Sequence, residues 1–125
     1  MSKYKAENFL ESLGFAISGL LLATKSQRNI RIEIILGIVS FVAGVMLDFS
    51  LLELVVLIIV IGFVLVAELL NTIIEFIVDS HVGNQYSKLA KISKDIAAGM
   101  VLMCVAQACV VGFLLFAPKI LRLFF

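Results

Sequence analysis

In the segment ELLNTIIEFIVD (Glu68 to Asp79), three carboxylates and an amide interrupt apolar sequence at a spacing that gathers them. Glu68, Asn71, Glu75 and Asp79 stand at i, i+3, i+7 and i+11. At about 100° per residue on an α-helix they fall within an arc of about 80° and form one polar stripe. Carboxylates with an amide are the oxygen donors that a hard divalent cation takes, and Mg²⁺ typically binds one or two carboxylates while substrate phosphates and water fill its other positions. Lys94, beside Asp95, offers positive charge to such phosphates. Asp79 alone is explained as lining a helix exit into a headgroup layer. Glu68 lies deeper in apolar sequence, and ionisable groups at membrane depth cost enough to mark a functional site.

The surroundings of this stripe are those of a membrane protein. Of 125 residues, 62% are hydrophobic and 15% charged, and the mean hydropathy is +1.17. That is enough apolar sequence for three bilayer crossings of ~20 residues each within a single all-α domain, residues 1–125. A net charge of +1, from 10 basic and 9 acidic residues, excludes a nucleic-acid partner held by bulk electrostatics. Residues 6–25 place Phe9, Leu10, Leu13, Ala16, Ile17, Leu20 and Leu21 at helical spacing, with charges at both ends, which predicts an amphipathic helix lying on the membrane surface. Spans are predicted over about 29–48, 51–79 and 94–117, the last closed by Pro118 after a polar loop from Ser80 to Asp95. Glu7 and Glu11 precede the first apolar stretch and no small-residue cleavage site follows, so a removable signal peptide is not expected. Cys104 and Cys109 are five residues apart, about 140° around a helix, and read as unpaired packing residues.

Lysine and arginine fix the expected topology. Five precede the first span, none lie between the first and second, three (Lys88, Lys91, Lys94) lie between the second and third, and two follow the third. The positive-inside rule puts the N-terminus and the 80–95 segment in the cytoplasm of a cytoplasmic-membrane protein and the C-terminus outside. The stripe, Lys94 and Asp95, and the segment Gln27 to Glu33 then converge at the cytoplasmic interface. A soluble nucleotide reaches such a site from below and a lipid headgroup from the side, which suits phosphoryl transfer to a lipid hydroxyl. No P-loop signature is present. A small ion-coupled transporter would also use membrane carboxylates, although nearer the midplane.

At ELLNTIIEFIVD followed by YSKLAKISKDIAAG, and from GFAISGL through RNIRIE to the terminal APK, the chain resembles the bacterial integral-membrane diacylglycerol kinase and undecaprenol kinase family. The resemblance implies a homotrimer of three-span subunits with surface helices and shared active sites, using ATP as phosphoryl donor and Mg²⁺. It implies Glu68 as catalytic base, Glu75 as a Mg²⁺ ligand that also borders the nucleotide, and Asn71 as a supporting amide. Asp79, Tyr86, Lys94 and Asp95 would border the nucleotide. Asn29, Arg31 and Glu33 fall in the family's lipid-facing stretch. Phe15 on the surface helix either stacks on the nucleotide or lies in lipid.

Three positions depart from the family. Gln27 stands where a second, acidic Mg²⁺ ligand is usual, Gln85 where an acidic residue often precedes the loop tyrosine, and Ser87 where a histidine is common. Glu33 lies six residues past Gln27 and points some 120° away from it. Gln27 motivates an alternative in which the chain keeps the fold as a weakened membrane scaffold. The RN-x-R, KDIAAG and APK stretches resemble the undecaprenol branch, which makes undecaprenol the expected lipid and diacylglycerol the next.

Overall fold

A computed structural model describes residues 3–125 as four helices: α1 (Phe9–Ser26), α2 (Arg28–Met46), α3 (Leu51–Val82) and α4 (Lys88–Phe124). Met1, where the N-terminal segment read for a signal peptide begins, and Ser2 lie outside the described residues. The all-helical fold, with α2, α3 and α4 long and apolar enough to cross a membrane, is the one expected from composition. The α3 and α4 helices form an antiparallel hairpin, and α2 packs on α3. At about 1.5 Å per residue, α3 and α4 run ~48 and ~55 Å, well beyond the ~30 Å of bilayer hydrocarbon.

Side-chain caps set the start of α1, α3 and α4. Asn8 Oδ1 accepts from the Glu11 amide at 2.8 Å, and Glu11 Oε2 in turn accepts from the Glu7 amide at 2.6 Å. The α1 helix then leaves nearly all its apolar side chains exposed and packs chiefly on α2. Its C-terminus is closed by α2: the Arg31 guanidinium donates to the carbonyls of Thr24 (2.9 Å) and Lys25 (2.8 Å), which are without partners inside α1. Ser50 and Glu53 form a capping box that starts α3.

The end of the molecule opposite the hairpin tip is tied through one lysine. Asp48, at φ +56°, turns the chain between α2 and α3, and the buried Phe49 that follows packs against the Phe116 ring at 4.8 Å between centroids. Lys119 Nζ sits 3.2 Å from Glu53 Oε2, donates to the Asp48 carbonyl at 3.3 Å, and lies over the Phe49 ring. These contacts join the last turns of α4 to the α2–α3 turn.

The structure differs from the sequence reading in two places. Pro118 does not close the third span, because α4 continues through it to Phe124. Proline removes one backbone donor, and helix ends near a membrane surface tolerate that loss where neighbouring groups hold the chain, here through Lys119. The 80–95 segment is mostly helical: α3 runs to Val82, Gly83 at φ +56° ends it, and Ser87 Oγ accepts from the Ala90 amide at 3.3 Å to start α4. Only residues 83–87 are left to make the turn.

Close approach of α2 and α3 depends on Gly37. A Cβ there would lie 2.8 Å from Ile61 Cγ2, and a β-branched isoleucine in a helix has little rotamer freedom with which to yield. Gly37→Leu should destabilise the detergent-solubilised protein by about 1–3 kcal/mol, whereas Gly62→Ala, where a Cβ would meet nothing within 4 Å, should leave thermal unfolding unchanged or slightly raised. Unfolding followed by circular dichroism checks both.

Candidate functional site

The stripe read from the sequence lies on α3, with its members in graded environments. Glu68, ~26 Å along α3 from Leu51, is 2% exposed, and Asn71 (8%) and Thr72 (3%) are buried beside it. Glu75 is half-buried and Asp79 exposed. The stripe therefore runs from a buried acid to a solvated one within three turns. The Thr72 hydroxyl donates to the Glu68 carbonyl at 2.9 Å, which satisfies that hydroxyl locally and leaves the Glu68 carboxylate to neighbours on α2.

Those neighbours are Asn29 and Glu33. Asn29 Nδ2 donates to Glu68 Oε1 at 3.5 Å, and the carboxylate of Glu33 lies close enough to feel the like charge of Glu68. Glu33 Oε2 is buried and makes no hydrogen bond among the described residues, and neither does Asn71 Oδ1. Asn71 Nδ2 donates to Glu75 Oε1 at 3.3 Å, which fixes the amide with its oxygen turned away from Glu75. Two buried acceptors without donors, next to a buried carboxylate, are unfavourable in an isolated chain, and they ask for a hydroxyl or a cation.

Charges at the hairpin tip form a second, open cluster. Lys94 Nζ pairs with Asp79 Oδ1 and Lys91 Nζ with Asp95 Oδ2, each at 2.6 Å. With Tyr86, Ser87 and Gly83 these side chains line a shallow cleft of about 400 Å³. The sequence placed Lys94 and Asp95 together as a unit. In the structure each takes a different partner, and Lys91, which the sequence reading did not single out, lies on the same cleft. Its signal was the i, i+4 spacing to Asp95.

The remaining predicted residues divide. Asn29 and Glu33 face Glu68, but Arg31 is committed to the carbonyls that end α1. Phe15 is about half exposed on α1. Gln27 sits at the α1–α2 joint, where its amide N–H donates to the Ala23 carbonyl and its side chain makes no capping bond. No three acidic, histidine or cysteine side chains are grouped as a metal site among the described residues. Cys104 and Cys109 are free thiols.

Fold and site together define a small helical membrane protein with a buried acid on its second span and a charged cleft at the tip of the following hairpin. Residues 14–116 match the prokaryotic diacylglycerol kinase family. A diacylglycerol kinase of Synechocystis sp. is 40% identical over 118 residues, covering 94% of this chain and 67% of that protein. An undecaprenol kinase of Bacillus subtilis is 31% identical over 112 residues, 90% of each chain. The chain belongs to the prokaryotic diacylglycerol kinase family and is a membrane lipid kinase. The ion-coupled transporter reading falls with that assignment.

The Lys94–Asp79 pair is exposed, and such pairs contribute little to folding. Lys94→Ala should therefore leave the melting temperature unchanged within error, as followed by circular dichroism.

Proposed function

We propose that this lipid kinase transfers the ATP γ-phosphate to the hydroxyl of a membrane alcohol at Glu68, with undecaprenol the favoured acceptor and diacylglycerol the next. The observation that carries this reading is the burial of the Glu68 carboxylate beside Asn29 and Glu33. A carboxylate without solvent can take a proton only from a group brought to it, and a lipid hydroxyl reaches this depth from the bilayer. In the reaction the lipid oxygen attacks the γ-phosphorus, Glu68 accepts the hydroxyl proton, and the bond to the bridging oxygen breaks to release ADP. Asn29 holds the Glu68 carboxylate through Oε1, leaving Oε2 for the proton.

Asp79, Tyr86, Lys94 and Asp95 would hold the nucleotide from the hairpin cleft. The lysines are already paired with carboxylates, so phosphates must compete for them, and the exposed setting makes that exchange inexpensive. Glu75 and the free Asn71 Oδ1 are oxygen donors of the kind Mg²⁺ takes, and two protein ligands suffice when nucleotide phosphates complete its shell. Bound there, Mg²⁺ would neutralise charge on the transferring phosphoryl group. Gln27 in place of a carboxylate lowers the negative charge available to a second ion.

The undecaprenol preference rests on the RN-x-R, KDIAAG and APK stretches, while the higher identity to a diacylglycerol kinase keeps that acceptor next. The homotrimer with shared sites, the cytoplasmic placement of the N-terminus and 80–95 segment, and the surface position of α1 belong to the same reading. The charge distribution and the exposed apolar face of α1 support the last two.

Glu68→Gln should reduce transfer by about a hundred- to ten-thousand-fold while ATP affinity stays within a few-fold, and Glu75→Gln should weaken ATP binding. Near-normal turnover in Glu68→Gln would remove the base assignment. Gln27→Glu should lower the Mg²⁺ concentration needed for half-maximal nucleotide binding, and no change there would count against a metal role for position 27.

A further inference from the structure

A groove of about 300 Å³ runs along the membrane-spanning part of the molecule between α2, α3 and α4. Its mouth at the level of the site is Glu33, and its far end is Phe116. The floor and rims between them carry small side chains: Gly37 and Ser40 on α2, and Ala108, Cys109 and Gly112 on α4. A Cβ on Gly112 would meet nothing within 4 Å, so the space beside it is open. Resting on the reading of Glu68 given above, we infer that this groove seats a single hydrocarbon chain, the tail of the lipid alcohol whose hydroxyl is phosphorylated.

Three observations specify that occupant. Glu33 is the only charged side chain on the groove and stands at one end of it, with Ser40 and Cys109 further along, and its buried Oε2 has no donor among the described residues. A lipid alcohol lying head-first in the groove brings its hydroxyl to the end where Glu33 and Glu68 stand, while a plain hydrocarbon or a membrane lipid without a free hydroxyl brings no donor there. The direction is also right. Going from Glu33 toward Phe116 leads away from the hairpin tip and into the apolar length of all three spans, as a tail must run from an interfacial headgroup. The section is narrow. From the level of Val105 to that of Phe116 is roughly 16 Å along α4, so 300 Å³ gives about 18 Å² in section, the girth of one chain and not of two. A second groove of about 390 Å³ on the other side of α2 and α3, between Ile34 and Leu65, has a wholly aliphatic and aromatic lining, and nothing marks an occupant for it.

One consequence concerns acceptor choice. A single-chain polyprenol places its first segment wholly in the groove, whereas a diacylglycerol leaves one of its two chains in the bilayer. The groove therefore discriminates on the tail, independently of the chemistry at Glu68.

Photolabelling of the intact protein tests this without requiring turnover. A polyprenol with a diazirine about 10 Å from its hydroxyl, within the ~16 Å length of the groove, is irradiated with the protein in micelles, and the labelled peptides are read by mass spectrometry. Label is expected on Leu36 and Ser40 of α2 and on Cys109, Gly112 and Phe116 of α4, and an excess of unlabelled polyprenol should reduce it at least fivefold, with hexadecane having no such effect. Label on the outward residues Ile35, Val39 or Val110, or equal competition by hexadecane, would overturn the inference. As a second measurement, Gly112→Leu fills the groove from an open position. It should raise KM for the polyprenol about tenfold with kcat changed less than twofold, and Gly62→Leu should leave both unchanged. If Gly112→Leu alters the oligomeric state and not KM, a second copy occupies the groove and the inference fails. Retained transfer in Glu68→Gln would instead remove the catalytic reading, and the labelling pattern is read separately from it.

Discussion

A carboxylate held out of water must be given donors or company, and the placement of Glu68 turns most of this structure into an answer to that requirement. The residue sits on a helix whose preceding fourteen residues are uncharged, so its partners come from elsewhere. They come from α2, which approaches α3 closely enough at Gly37 to bring Asn29 into hydrogen-bond range and Glu33 alongside. The α2–α3 turn, buried Phe49 and the Lys119 contacts fix that approach at the opposite end, some 26 Å away along α3. What these contacts leave unpaired among the described residues, Glu33 Oε2 and Asn71 Oδ1, is where a ligand would gain most.

The charged groups divide into two kinds with different physics. Glu68 and Asn71 are buried and Glu33 half-buried with one buried carboxylate oxygen, and interactions there are strengthened by the scarcity of water. Asp79, Lys91, Lys94 and Asp95 are exposed at the hairpin tip, where ion pairs form and exchange cheaply. A lipid kinase needs both kinds of setting. The acceptor hydroxyl must meet its base in a dry place, and a soluble nucleotide must bind and leave from a wet one. The helices α3 and α4 exceed the bilayer thickness, which lets one hairpin hold the two settings a few turns apart.

Much of this was legible in the chain. Period-3.6 spacing gathered Glu68, Asn71, Glu75 and Asp79 on one face, and uncharged runs located three spans. The tertiary partners of those groups were less so. Nothing local in the sequence distinguishes Arg31, which closes α1, from Asn29, which reaches Glu68, because both assignments depend on how α1 and α2 meet. The helical start at Lys88 was written in Ser87 and the i, i+4 pair Lys91–Asp95, but the density of polar residues in 80–95 reads as loop when taken by composition. Pro118 is a helix breaker only where no neighbour holds the chain past it, and Lys119 reaches Glu53 and Asp48 across 66 and 71 positions of sequence. Cys109 illustrates the same limit: apolar context makes it a packing residue, whereas the groove it lines exists only between helices.

The central claim is that this chain moves phosphate from ATP to a membrane alcohol, and the most direct measurement is transfer of labelled γ-phosphate from Mg·ATP by the purified protein in micelles offering undecaprenol and diacylglycerol in parallel. The account predicts labelled lipid phosphate, with undecaprenyl phosphate formed faster than phosphatidic acid. Phosphatidic acid formed faster would contradict the acceptor preference, and no labelled lipid from a folded protein that binds ATP would contradict the central claim itself.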